Sequence, residues 1–247
     1  MTDRDVTYPP LDVPKPVAEG VWIVDGAPIR PAPGLVMPTR MIVIRLASGD
    51  LWLHSPVRHG EALARALAEL GPVRHLVAPN IGHWTFLPDW QRAFPQATLW
   101  AAPGLRDRRQ VRKSGLRIDH DLGEQAPAAW AGEIEQAVIP GAGGFREVAF
   151  LHLPSRTLLL TDLVANLEAE KLPFATLLFA RLNGMLAPHG RAASYVRISV
   201  RMRRAEASRA VTRLIGRAPE RVIFAHGRWF ERDGTATARR SLGWLLA

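Results

Sequence analysis

The sequence predicts a mixed α/β fold in which helices cover sheet, and three observations carry that prediction. Short apolar runs with the patterns of buried strands recur at 20–25, 41–46, 51–54, 73–78, 98–101, 133–139, 158–160 and 221–225. Stretches with helical periodicity fall between them, at 60–70, 88–94 and 204–214. A chain of 247 residues with 47% apolar content, 20 Gly and 20 Pro is long enough for one large, turn-rich core.

Residues 1–19 form a polar, proline-rich lead without an apolar signal core, so no signal peptide is expected. Residues 20–247 contain no internal repeat or linker and read as a single domain. A proline- and glycine-rich loop, 27–38, separates the first two strands. Ser48-Gly49-Asp50 marks a hairpin turn before the 51–54 strand. Leu63, Leu67 and Leu70 give the next helix its apolar stripe, and Gly71 stops it. The 73–78 strand runs into an irregular loop, 79–84, and the basic segment 106–117 reads as helix and loop.

The centre of the pattern is 140–166. It reads as two apolar strands joined by a tight turn at 153–156, the second ending in Leu158-Leu159-Leu160 and then Asp162. A carboxylate at that point either caps a following helix or projects from the sheet edge into a cleft. The apolar segment 172–186 reads as a helix that packs over the cleft or against a second copy in a homodimer. Attachment to a membrane surface is the rival reading of its apolar faces. It falls short of the roughly 20 apolar residues that a transmembrane span needs. A last strand ends at His226-Gly227, and a helix over 237–246 closes the chain.

The absence of cysteine excludes disulfides and thiolate metal sites, so any metal rests on His, Asp and Glu. A reducing, cytoplasmic location is the default expectation. The net charge of +9 invites a nucleic-acid reading. Arginine supplies almost all of it, clustered at 106–117 and 191–213. No aromatic side chains interleave the first cluster, so it offers no stacking platform for bases. These clusters read as solvated faces.

Five segments carry a resemblance to the metallo-β-lactamase-fold superfamily: Gly20-Val21-Trp22-Ile23-Val24, Leu51-Trp52-Leu53, the 73–79 strand with its histidine-bearing loop, 150–162, and Val222-Ile223-Phe224-Ala225-His226-Gly227. The phrases IGHW, EVAFLHLPSRTLLLTDL and FAHG are similar to a subfamily of unknown function within it. The resemblance implies a four-layer αββα sandwich and a site for one or two ions, usually zinc or iron. Active members carry a His-x-His-x-Asp-His loop, whereas loop 79–84 has His83 alone. Ala142 stands where a further ligand histidine follows Pro-Gly, and His54 replaces an aspartate that often ends the second hairpin strand. Asp162 and His226 match the bridging aspartate and the closing histidine.

The resemblance therefore implies at most one zinc or iron ion, held by Asp162, His226 and His83, in a cleft lined by His54, Asn80 and Trp84. The activity that follows is a metal-dependent hydrolase acting on a small molecule, its catalytic residues unassigned. A non-catalytic small-ligand-binding module is the alternative. Nucleic-acid processing ranks third, because relatives that cut nucleic acid keep the metal cluster lost here. His152 with Ser155 reads as a hydrogen bond tying the turn rather than a catalytic pair, and Glu147 as an architectural group that pairs with Arg146 or Arg156 or with a deeper charge.

Overall fold

The central strands of both sheets bury both of their faces, and the two-residue side-chain period divides them between two different cores. The computed structural model describes residues 5–246; residues 1–4 of the lead and residue 247 lie outside the described residues. The first sheet takes its strands in chain order: β1 (Lys15–Ala18), β2 (Val21–Ile29), β3 (Met37–Arg45), β4 (Leu51–His54), β5 (Val73–Ala78), β6 (Thr98–Ala101) and β7 (His120–Asp121). Neighbours are antiparallel as far as β4 and parallel from there to β7. The parallel crossovers carry α1 (Glu61–Ala68), α2 (Leu87–Ala93) and α3 (Arg109–Ser114). On β3, Met41 and Val43 face the helices, while Ile42 and Ile44 face the second sheet.

That second sheet begins with the antiparallel pair β8 (Ile134–Pro140) and β9 (Arg146–His152), then β10 (Thr157–Leu159). The chain continues through β11 (Ala165–Asn166), α4 (Phe174–Asn183), α5 (Ser194–Arg201) and α6 (Arg204–Ile215). It ends with β12 (Arg221–Ile223), β13 (His226–Gly227), α7 (Gly234–Ser241) and α8 (Gly243–Leu246). The sheet order is β12-β10-β9-β8, and β11 pairs with β13 in a separate parallel ladder. Val148 and Phe150 of β9 meet the first sheet; Ala149 and Leu151 meet α5, α6 and the closing helices. Helices thus cover the outer face of each sheet, giving the αββα sandwich. Between the sheets Trp52 meets Trp130 and Phe150 edge-on, with ring centroids 5.9 and 5.0 Å apart.

The differences from the sequence reading have local causes. Part of the proline-rich lead is ordered as β1, held to β2 by a ladder that composition does not signal. The 172–186 helix is shorter than expected, because Gly184 takes φ +70° and ends it, while Leu172 and Met185 turn into the core. α5 lies in a segment whose arginines obscure its apolar stripe. The closing helix breaks into α7 and α8 at Leu242. No helix among the described residues is long and apolar enough to cross a membrane.

One buried ion pair ties the first sheet to the end of the chain. Arg40 Nη2 lies 2.6 Å from Asp25 Oδ1, both side chains 2% exposed, and Lys15 Nζ reaches Asp25 Oδ2 at 2.5 Å. Arg40 Nη1 also donates to the carbonyls of Phe224 (3.1 Å) and Gly227 (2.6 Å). A charge this deep needs such partners. By holding the carbonyls on both sides of it, the pair fixes the backbone that presents His226.

Candidate metal centre

Three segments that follow buried strands converge at one end of the sandwich. His83 comes from the loop after β5, Asp162 from just beyond β10, and His226 from the first position of β13. β10 and β12 run parallel, and Ala165 then pairs with His226, so both strand ends open at the same edge. His83 Nε2 and His226 Nε2 each lie 3.3 Å from Asp162 Oδ1. The ligand atoms of the three residues all fall within 4.8 Å of one another.

Each donor is oriented by a partner behind it. Ser55 Oγ sits 2.6 Å from His83 Nδ1. His226 Nδ1 donates to the Pro38 carbonyl at 2.7 Å; a carbonyl only accepts, so Nδ1 must carry the proton. Asn80 organises the loop: its Oδ1 accepts from the amides of Gly82 (2.8 Å) and His83 (3.0 Å), and its Nδ2 donates to Asp162 Oδ2 at 2.8 Å.

Beneath the donors lies Glu147 of β9, fully buried. Its Oε1 accepts from the Thr161 amide and its Oε2 from the Asp162 amide, each at 2.7 Å. Its role is architectural, as expected, but its partners are backbone amides and not Arg146, Arg156 or a deeper charge. A carboxylate inside an apolar strand, next to Val148-Ala149-Phe150, was the available signal. Burial, and then the Asp162 charge, raise the Glu147 carboxyl despite the two amides and Asn80. Burial would raise Asp162 too, but the His83 charge and hydrogen bonds from His226 and His83 hold it well below the usual carboxylate range.

The three residues expected to line the cleft stand elsewhere. His54 is buried, stacked on Trp52 and edge-on to Phe150, and neither ring nitrogen has a hydrogen-bond partner. Burial first, and the His83 charge second, lower its pKa to about 3. As the end of a strand covered on both faces, it belongs to the core. Asn80 is also fully buried and acts from behind the donors. Trp84 packs against the core under α1 and α2, and Trp90 lies inside that core, donating to the Val57 carbonyl at 2.7 Å. His152 bonds Ser155 at 2.7 Å and ties the β9–β10 turn.

Two cavities meet at Gly82 and His83. One, of about 400 Å³, contains Asp162 and His226 and is walled by apolar side chains that include Leu35, Met37, Phe179 and Val196, with Tyr195 among them. The other, of about 490 Å³, carries Arg30, Arg40 and Arg58 beside Thr39 and Phe86. Phe179 and Met185 come from the segment expected to pack over the cleft, whereas Tyr195 lies on α5, which the sequence reading missed.

The donor set fits one cation. With the His226 Nδ1 proton committed to Pro38, Nε2 faces a carboxylate oxygen at 3.3 Å, a contact that a proton on the ring satisfies and that a cation held between the two atoms would replace. Two imidazoles and one carboxylate are the ligand types of zinc and non-haem iron sites. The Asn80 amide occupies Asp162 Oδ2, which leaves Oδ1 alone for the cluster.

This fold, with donors at its strand ends, defines a protein of the metallo-β-lactamase fold. Among solved structures, the chain is similar to a metallo-β-lactamase from Pontibacter korlensis, at 15% identity and a TM-score of 0.63 over 94% of this chain and 97% of that one. The Pseudomonas aeruginosa metallo-β-lactamase FIM-1, in its mono-zinc form, aligns at 13% identity and 0.61 over 98% and 96%. The rubredoxin oxygen:oxidoreductase of Desulfovibrio gigas aligns at 12% and 0.66 over 94% of this chain but 60% of that one. At such identities these likenesses establish the fold alone. No curated protein matches the chain in sequence. Residues 21–184, more than half of the chain, match the model of the family described as a domain of unknown function (DUF4336), and the chain belongs to that family.

Proposed function

We propose that this protein is a hydrolase dependent on a single metal ion, with His83, Asp162 and His226 as its ligands and a small molecule as its substrate. The observation that carries the reading is the two imidazole Nε2 atoms converging on one oxygen of Asp162. A zinc or iron ion bound there would supply Lewis acidity toward an ester, amide or phosphoester. The chain's own contribution is positional. Ser55 and the Pro38 carbonyl orient the two rings, and Glu147 fixes the backbone that carries Asp162. Phe179, Met37 and Val196 exclude water from one side of the donors, while Arg30 and Arg58 lie where an anionic part of the substrate would rest.

The hydrogen bond from Asn80 to Asp162 Oδ2 argues against a bridging carboxylate, and so for one ion rather than two. Elemental analysis after mild purification should therefore find at most one zinc or iron per chain, reduced by His83→Ala and again by His226→Ala. Two tightly held ions, or binding unchanged in His83→Ala, would overturn the assignment. Ser55→Ala leaves His83 Nδ1 without its partner and should weaken metal affinity about tenfold, as the loss of a group that orients a ligand does. Unchanged affinity in a competition titration would remove Ser55 from the site.

The non-catalytic reading is favoured by the loop itself, which offers one imidazole, and by Ala142 in place of a second. A chain that binds no metal in any titration but still takes up small organic ligands beside Phe179 would be that binding module.

A further inference from the structure

The largest apolar surface outside the core lies on α4 and α5. Phe174, Leu178 and Leu182 form one stripe along α4 with a four-residue spacing. Tyr195, Ile198 and Met202 form a second along α5 and its C-terminal cap. Each of the six is between 48% and 76% exposed. The two helices are tied end to end, because Asn183 Oδ1 accepts from the Ser194 amide at 2.9 Å and from its hydroxyl at 2.6 Å. Single exposed apolar residues are ordinary, but two stripes on joined helices are not.

The charge around the stripes has one sign. From residue 171 to residue 205 the chain has seven Lys or Arg and no Asp or Glu. Among the described residues, Arg181, Arg191, Arg197 and Arg201 have no carboxylate within ion-pair distance, whereas about half of the other arginines do. Burial, and then the charges of Arg191 and Arg201, lower the Arg197 guanidinium, as expected where like charges crowd without an acid. A two-fold contact between copies through this face would oppose two such clusters. A nucleic acid would suit the arginines but would gain little from Leu178, Leu182, Ile198 and Met202, which cannot stack on bases. Exposed apolar stripes with uncompensated arginines match a surface that is negative outside and hydrocarbon within.

We propose that α4 and α5 form a docking face for an anionic lipid bilayer. The apolar stripes enter the headgroup boundary, and the arginines meet the lipid phosphates. Phe179 of α4 and Tyr195 of α5 also line the cavity that holds Asp162 and His226, so docking places the mouth of that cavity beside the lipid. The proposal rests on the surface and is independent of the metal assignment.

The test is co-sedimentation of the full chain with phosphatidylcholine vesicles, with and without about one-third phosphatidylglycerol. Wild type should bind the mixed vesicles, leave the neutral ones in solution, and lose binding as salt rises. Leu182→Asp combined with Ile198→Asp should lower partitioning about tenfold or more. Arg197→Glu with Arg201→Glu should abolish the preference for anionic lipid. Arg108→Glu with Arg109→Glu, in the basic segment that exposes no large apolar side chain, should change it less than twofold, about the scale of a general charge effect. All these positions are on the surface, and circular-dichroism melting confirms that each variant is folded.

No binding of wild type to the mixed vesicles at low salt would overturn the proposal, as would an equal loss in the Arg108/Arg109 variant. So would a dimer in sedimentation velocity that the Leu182/Ile198 variant disperses, since a second copy would then cover the face. Binding of single-stranded RNA that depends on Arg197 and Arg201 but survives the apolar substitutions, with no vesicle binding, would assign the face to nucleic acid.

Discussion

Replacing Glu147 with alanine is expected to cost about 2–4 kcal/mol of unfolding free energy. Its two oxygens accept the amides of Thr161 and Asp162, and nothing else in that fully buried position offers either an acceptor. A buried N–H left without a partner costs about 1–3 kcal/mol, and the lost methylenes and carboxyl leave a small cavity besides. Relief of the cost of burying a carboxyl beside Asp162 offsets part of this, which keeps the figure below the sum. Glu147→Gln preserves the shape and one acceptor oxygen, so it should lose about half as much. Urea unfolding with an unchanged m-value is the measurement. A loss under about 1 kcal/mol in the alanine variant would mean that the 161–162 backbone finds other partners.

The second large effect depends on pH. His54 is lowered to about 3 in the folded protein by burial and by the charge of His83, against about 6.5 when unfolded. Between those values the unfolded chain binds a proton that the folded one refuses. Stability from this group is thus complete above pH 6.5 and is lost as pH falls through the window. In His54→Leu the loss is absent. Stability of the variant minus that of wild type should therefore rise by roughly 2–3 kcal/mol from pH 6.5 to 4.5 and level off below about pH 3. Taking the difference isolates His54 from His152, which burial lowers to about 4 and which loses stability over a similar range. A pH-independent difference would show that folding leaves the His54 pKa at its unfolded value.

Much of this architecture was legible in the sequence because it is local. The apolar runs at 51–54, 73–78 and 98–101 coincide with β4, β5 and β6, and Leu158-Leu159-Leu160 announced a strand covered on both faces. Asp162 and His226 stood just past such strands, and the structure brings them together at 3.3 Å. What escaped depends on the third dimension. His54, Asn80 and Glu147 are polar residues at strand ends or within strands, and sequence alone does not separate a side chain in a cleft from one under it. Asn80 turned out to be the residue that shapes the loop, and Glu147 the one that supports Asp162. β7 and β11 are too short for periodicity to register, β1 lies in a proline-rich stretch, and all three exist because a neighbour pairs with them. α5 was hidden by arginines that, once folded, flank an apolar stripe.

The ladder that joins Ala165 to His226 bears on how the protein is made. A ribosome adds about 5–20 residues per second, so the 64 residues from Leu163 to His226 occupy roughly 3–13 seconds of synthesis. Throughout that interval His83 and Asp162 have been translated, and the first sheet has all its strands, but the second imidazole does not yet exist. On the proposed reading, a nascent chain in this state offers a passing ion only one ring and one carboxylate, too few to hold it. Loading then waits for the arrival of β13, and the growing chain is shielded from capturing the wrong metal while its second sheet is still unfinished.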